Sequence, residues 1–182
     1  LWSWEENQID IKEEENQFKT FNLTTKIRTN QEIANFIKWL FEKKRKIISY
    51  YNKSNIEINY FKTELEAKKY INNLVLNDWK KIDYTPSNRH WDYESKCSIY
   101  NIDWWTDNAH TVIWQEFEKA IVVIDNTFYY NEKYKLSSHY PNPYYVPIKM
   151  LFQIITRVRK KLNIVIINNQ EVLDRCIDLL KK

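Results

Sequence analysis

The chain of 182 residues contains no glycine, where a typical chain of this length carries about a dozen. That absence excludes the glycine-rich phosphate loop, the dinucleotide fingerprint and the nucleophile elbow, each of which needs a residue without Cβ. Cysteine is scarce too. Cys97 and Cys176 lie far apart, so neither a disulfide framework nor a zinc site is indicated, and a reducing, cytoplasmic location is expected. Only four prolines occur, and no Pro- or Ser-rich linker divides the chain. No apolar run approaches the roughly 18 residues of a membrane-spanning helix, so no membrane partner is expected. Leu1 to Lys12 lacks the basic-then-apolar order of a signal peptide. Because residue 1 is leucine rather than methionine, the sequence reads as trimmed or as part of a longer chain.

Aromatic residues are abundant instead: 8 Phe, 13 Tyr and 8 Trp are ample for a buried core and argue against a long solvated chain. Phe, Tyr, Met, Ile, Asn and Lys make up nearly half of the sequence. That skew is expected of a very A/T-rich genome, such as that of a low-GC bacterium, its phages or its mobile elements. The formal charge is +4. Codon bias inflates lysine, so the mild basicity carries little information about nucleic acid.

The polar stretch 1–28 reads as an N-terminal arm, with Trp2 and Trp4 as anchors and an acidic centre at Glu13 to Glu15. Residues 29–182 read as a single domain. Thr29 and Glu32 have the spacing of a capping box, and Ile33, Phe36, Ile37, Leu40 and Phe41 continue it as a helix to about Tyr51. A strand at 56–61 precedes a second box, Thr63 with Glu66, whose helix buries Ala67, Tyr70, Ile71, Leu74 and Val75. Ser98 to Asp103 reads as a strand, and 110–117 with 120–128 as a hairpin. Pro147 suits a first helical position, and Leu151, Ile154, Ile155, Val158 and Leu162 extend that helix to 162. The apolar run 164–167 suits a strand covered on both faces. Asn169 caps a last helix with Val172, Leu173, Cys176 and Leu180 inward. The expected class is α+β, a mostly antiparallel sheet packed with about four helices.

Acid–base candidates are few. His90 and His139 fall in polar loops and read as solvated surface residues. A hairpin would set His110 beside Asp125, and the carboxylate would then orient the imidazole. The order His110, Asp125, Gln170, Cys176 resembles the cysteine proteases of the adenovirus-type and ubiquitin-like-protein-processing clan. The resemblance covers residues 104–176. It implies His110 as base, Asp125 as orienter, Gln170 as oxyanion donor and Cys176 as nucleophile. The nucleophile region departs from the clan's Asp-Cys-Gly, reading Asp174-Arg175-Cys176-Ile177, and Cys176 falls inside a terminal helix, where it equally reads as a small core residue. Cys97 precedes His110 too closely for a papain-like or transglutaminase-like site. Asp103, Asp107 and Asp125 would suit a divalent cation only if strand ends gathered them, and isolated strand-end acids are usually surface residues.

No cofactor is expected. Lys43-Lys44-Arg45-Lys46, with Lys38, would face phosphates or simply solvent. The aromatic surplus points to a binding surface of Trp91, Trp104, Trp105, Tyr140, Tyr144 and Tyr145, since Trp and Tyr are preferred interface anchors. The function expected is therefore a protein-interaction module, an immunity protein against a toxin or a phage-type inhibitor of host defence. A cysteine protease is the alternative, and nucleic-acid binding the third reading.

Overall fold

A computed structural model describes residues 29–45, 55–85, 107–139 and 146–180. The arm at 1–28, the strand expected at 98–103 and residues 140–145 lie outside them, as do Cys97 and His90; a Tyr/Pro-rich loop is expected over 131–145, but its first part holds a strand, Leu136–Ser138. Four helices and six strands are described, in the order α1 (Gln31–Phe41), β1 (Ile56–Phe61), α2 (Glu64–Leu76), β2 (Lys80–Lys81), β3 (Phe117–Ile124), β4 (Phe128–Tyr130), β5 (Leu136–Ser138), α3 (Pro147–Ile155), β6 (Val158–Ile167) and α4 (Gln170–Leu180).

The main sheet has the order β1-β6-β3-β2, and every pairing in it is parallel. This corrects the antiparallel expectation. The expected hairpin does not form: residues 109–114 make turns, and β3 pairs in parallel with β6 and β2. β4 and β5 make a small separate antiparallel pair. The central strands carry the parallel signature of continuous apolar runs, Ala120 to Ile124 and Ile164 to Ile167, because helices cover both faces.

Alternation along the strands feeds two cores. Ala120, Val122, Ile124, Leu162, Ile164 and Ile166 pack with α1, α3 and α4. Ile121, Val123, Val165 and Ile167 pack with Ala67 and Ile71 of α2, and with Trp79. α2 links β1 to β2 across the whole sheet, while α3 links β3 back to the adjacent β6. Crossovers in opposite directions place their helices on opposite faces when both keep the common hand.

Several boundaries shift for visible reasons. α1 is capped by Asn30, whose Oδ1 accepts from Ile33 N at 2.8 Å, and not by Thr29, which donates to the Thr156 carbonyl. α1 ends at Phe41 rather than near 51, because Glu42 turns extended and bridges to Lys135. The helix expected over 147–162 breaks at Thr156–Arg157, and Val158 and Leu162 belong to a ten-residue strand. Helical and strand periods both bury those two positions, so the apolar stripe could not separate them. Thr63 caps α2 as expected, accepting from Glu66 N, but Val75 is partly exposed rather than buried.

Without glycine, left-handed positions fall to other residues. Asp78 has φ 63° and Asn168 φ 46°, and these short polar side chains tolerate that region best after glycine. Asp78 closes α2 in a Schellman motif: Trp79 N donates to Leu74 O and Asp78 N to Val75 O.

Candidate functional site

The amino-terminal end of the sheet gathers an unusual set of side chains. β1 pairs with β6 only from Leu162 onward, so residues 158–161 run past that edge strand. Asn30 holds this overhang, its N–H donating to Arg159 O and its Nδ2 to Lys160 O. On the other side, Phe117 N donates to Arg157 O at 2.9 Å, and Phe117 pairs with Val158. The β3–β6 register then slips by one residue between Phe117 and Lys119. Such an irregularity breaks the strict in–out alternation of a strand. Arg159, Lys160 and Lys161 are consequently all exposed in succession.

Acids from β3 meet part of this charge. Glu118 lies 3.7 Å from Arg159 Nε and accepts from Lys160, and Glu116 lies 3.9 Å from Arg159 Nη1. The hydrogen bond from Lys160 is the main reason the Glu118 carboxyl is held below its ordinary range. Lys161 stands in register with Lys119 on one sheet face, and like charges so placed repel. Lys119 leans away, donating to Asn77 O at 3.3 Å with its ammonium 6.0 Å from the Trp79 ring centre. Lys80, beside Ala120 in register, pairs with Asp107. The cations Lys80, Lys119, Arg157, Arg159, Lys160 and Lys161 thus share this end with acids that include Asp107, Glu116, Glu118 and, bonded to Asn55, Glu32.

Trp114, three residues before β3 begins at this end of the sheet, is 91% exposed. The turn that presents it is tied down on the inner side. Ala109 and Val112 are fully buried, Val112 N donates to Asn108 O, and Gln153 of α3 donates to Ala109 O. Asn108 Oδ1 also accepts from His110 N and Thr111 N. With Val112 fixed in the core, the indole two positions later is carried outward. The exposed indole thus precedes, by three residues, the strand start that is bonded to Arg157.

The residues singled out from the sequence are placed elsewhere. His110 lies on the same turn, with Nδ1 2.8 Å from Thr85 Oγ1. Asp125 is buried at the other end of β3 and accepts from the Thr127 N–H and hydroxyl. Gln170 is exposed and donates to Asp174 on its own helix. Cys176 is fully buried in the core under α4, and burial pushes its thiol up to about 12. These four side chains are therefore held by different surroundings, and the thiolate a protease needs is disfavoured. Asp107 is engaged by Lys80, Asp103 lies outside the described residues, and no group of three or more His, Cys, Asp or Glu among the described residues could hold a metal ion.

The basic run after α1 has contacts of its own, with Lys44 and Arg45 still exposed. Lys43 pairs with Glu171 at 3.3 Å and sits 5.1 Å from the Tyr130 ring centre. Lys44 lies 4.4 Å from that of Tyr134, and Arg45 lies 3.9 Å from Glu42. Lys46 lies outside the described residues, as do Trp91, Trp104, Trp105, Tyr140, Tyr144 and Tyr145. The residues that sequence reasoning missed are Trp114 and the run Arg157 to Lys161. Four cations in five positions were the available signal, hidden because 147–162 read as one helix. No helix among the described residues is long and apolar enough to cross a membrane. Neither family models, nor curated protein sequences, nor solved structures show a match to this chain.

Proposed function

We propose that the amino-terminal end of the sheet binds single-stranded nucleic acid, with a base stacked on Trp114 and the backbone phosphates on Arg159, Lys160 and Lys161. The observation that carries this reading is the exposed run Arg159 to Lys161 on β6, with an almost wholly exposed indole three residues before β3, the strand that pairs with it. A stacking platform next to a positively charged track is what single strands require, since every base offers a π face and every linkage a charge. Trp114 is followed by Gln115 and Glu116, and the strand after them pairs with the charged run of β6, so the attraction on offer beyond the indole is electrostatic.

The test is fluorescence anisotropy of labelled single strands of about 16 nucleotides, DNA and RNA in separate arms, at about 50 and 200 mM salt. Binding should weaken steeply with salt. Trp114→Ala should cost about 1–3 kcal/mol, and combined neutralisation of Arg159, Lys160 and Lys161 should flatten the salt dependence. Absence of binding at low salt, or binding indifferent to both sets of substitutions, overturns the proposal.

A second reading keeps the protein partner expected from the aromatic surplus, a toxin or a host-defence factor, with Trp114 as its anchor. It is favoured by the same 91% exposure. A captured partner whose association survives high salt and collapses on Trp114→Ala would support it.

A further inference from the structure

The cations of this surface are not equally available. Arg159 and Lys160 have side chains 52% and 72% exposed, yet both are met by Glu118 from the neighbouring strand, itself 51% exposed. Glu116 approaches Arg159 from its other nitrogen. Lys161 has no acid opposite it, facing Lys119. Exposed ion pairs of this kind add little to folding stability, so stability is a weak reason to keep a carboxylate between two cations. For a polyanion the same carboxylate matters much more, because it fills the position a phosphate oxygen would take.

We infer that Glu118 is a built-in competitor for the phosphate backbone, holding Arg159 and Lys160 in the free protein and releasing them when a strand binds. The inference rests on the single-strand reading and adds its regulation. Two consequences follow from electrostatics. The free protein is self-screened at Arg159 and Lys160, so weak or short polyanions gain chiefly Lys161. Displacing Glu118 also offsets part of the attraction to phosphate, so wild-type affinity is lower than the number of cations implies, while the phosphates neutralised in the complex, and with them the salt slope, stay the same. Because Glu118 stays ionised through the neutral range, the competitor is always present, and only a change of the residue or displacement by phosphate removes it.

The experiment compares wild type with Glu118→Gln, which keeps the shape and removes the charge, using the same labelled single strands. Glu118→Gln should bind about five- to tenfold more tightly at about 50 mM salt, with a plot of log K against log salt of unchanged slope, since the same phosphates are neutralised in the complex. The double variant Glu118→Gln/Lys160→Gln should lose most of that gain, which ties it to the pair and not to a general change in net charge. Glu116→Gln, whose carboxylate lies 3.9 Å from Arg159 and not beside Lys160 as that of Glu118 does, should give a smaller gain. Thermal melts check that each variant is folded, and Glu118→Ala serves as a second neutralisation. If wild type binds and both Glu118 variants match its affinity, the competitor role is wrong while the binding reading stands. If neither wild type nor variant binds, the binding reading fails and this inference with it.

Discussion

The guanidinium of Arg175 lies 3.5 Å from the centre of the Trp39 ring, and its Nη2 donates to the carbonyl of the same tryptophan at 2.9 Å. It also reaches Glu42 O at 3.1 Å, so one buried side chain from α4 closes the carboxyl end of α1. Tyr130 completes this closure by donating its hydroxyl to Leu40 O at 2.7 Å. Arg175→Ala should cost about 2–3 kcal/mol, since it removes a cation–π stack and leaves helix-end carbonyls buried without donors. Arg175→Lys should recover less than half, because an ammonium has neither the planar fork nor the stacking face. Denaturant titration measures both.

Asp78 gives the opposite sign. A non-glycine residue at the left-handed end of α2 carries strain that glycine does not. Asp78→Gly should raise stability by about 0.5–1 kcal/mol, the larger unfolded-state entropy of glycine offsetting part of the relief. A fall in the denaturation midpoint would contradict this account of the helix end.

Cys176 should behave as core. Its thiol is held protonated in the folded protein and ionises from 9.0 upward once unfolded. The stabilisation this represents is complete below about pH 9 and declines as pH rises toward 12, because only the unfolded chain gains from releasing the proton. Cys176→Ala should cost on the order of 1 kcal/mol at neutral pH and flatten the loss of Tm between pH 9 and 11. Native Cys176 should resist a thiol reagent at neutral pH, with His110→Ala making no difference. Rapid labelling abolished by that substitution would restore the protease reading.

Lys161 separates binding from stability. Lys161→Glu converts a like-charge pair with Lys119 into an opposite one, which should stabilise the fold by about 0.2–1 kcal/mol. The same change should weaken single-strand binding and reduce its salt dependence. A variant both more stable and equally tight-binding would show that Lys161 faces no phosphate.

Trp114→Ala should leave the thermal midpoint within the scatter of a surface change, about 0.5 kcal/mol, because the indole is almost wholly exposed. A large loss of stability would mean that the ring is covered in solution.

What the sequence determined by itself was local. Thr63 with Glu66 starts α2, Asn169 accepts from Val172 N to start α4, and Ile33, Phe36, Ile37 and Leu40 face the core. The burial of Cys176 was legible from its helical spacing with Val172. Each of these depends on neighbours within one or two turns, where side chain and backbone chemistry act without the rest of the fold. Strand direction was not legible, because an apolar run such as Ala120 to Ile124 is equally buried in a parallel or an antiparallel pairing. The end of α1 was decided by Arg175, far along the chain, and by the bridge from Glu42 to Lys135. The same holds for charge. Lys43, Lys44 and Arg45 look like Arg159, Lys160 and Lys161 in the sequence, but only the folded chain brings Glu171, Tyr130 and Tyr134 to the first run. The second run meets Glu116 and Glu118, also from a distant segment, yet stays exposed where β6 runs past the edge strand, because partners and exposure alike are set by which segments the fold brings alongside.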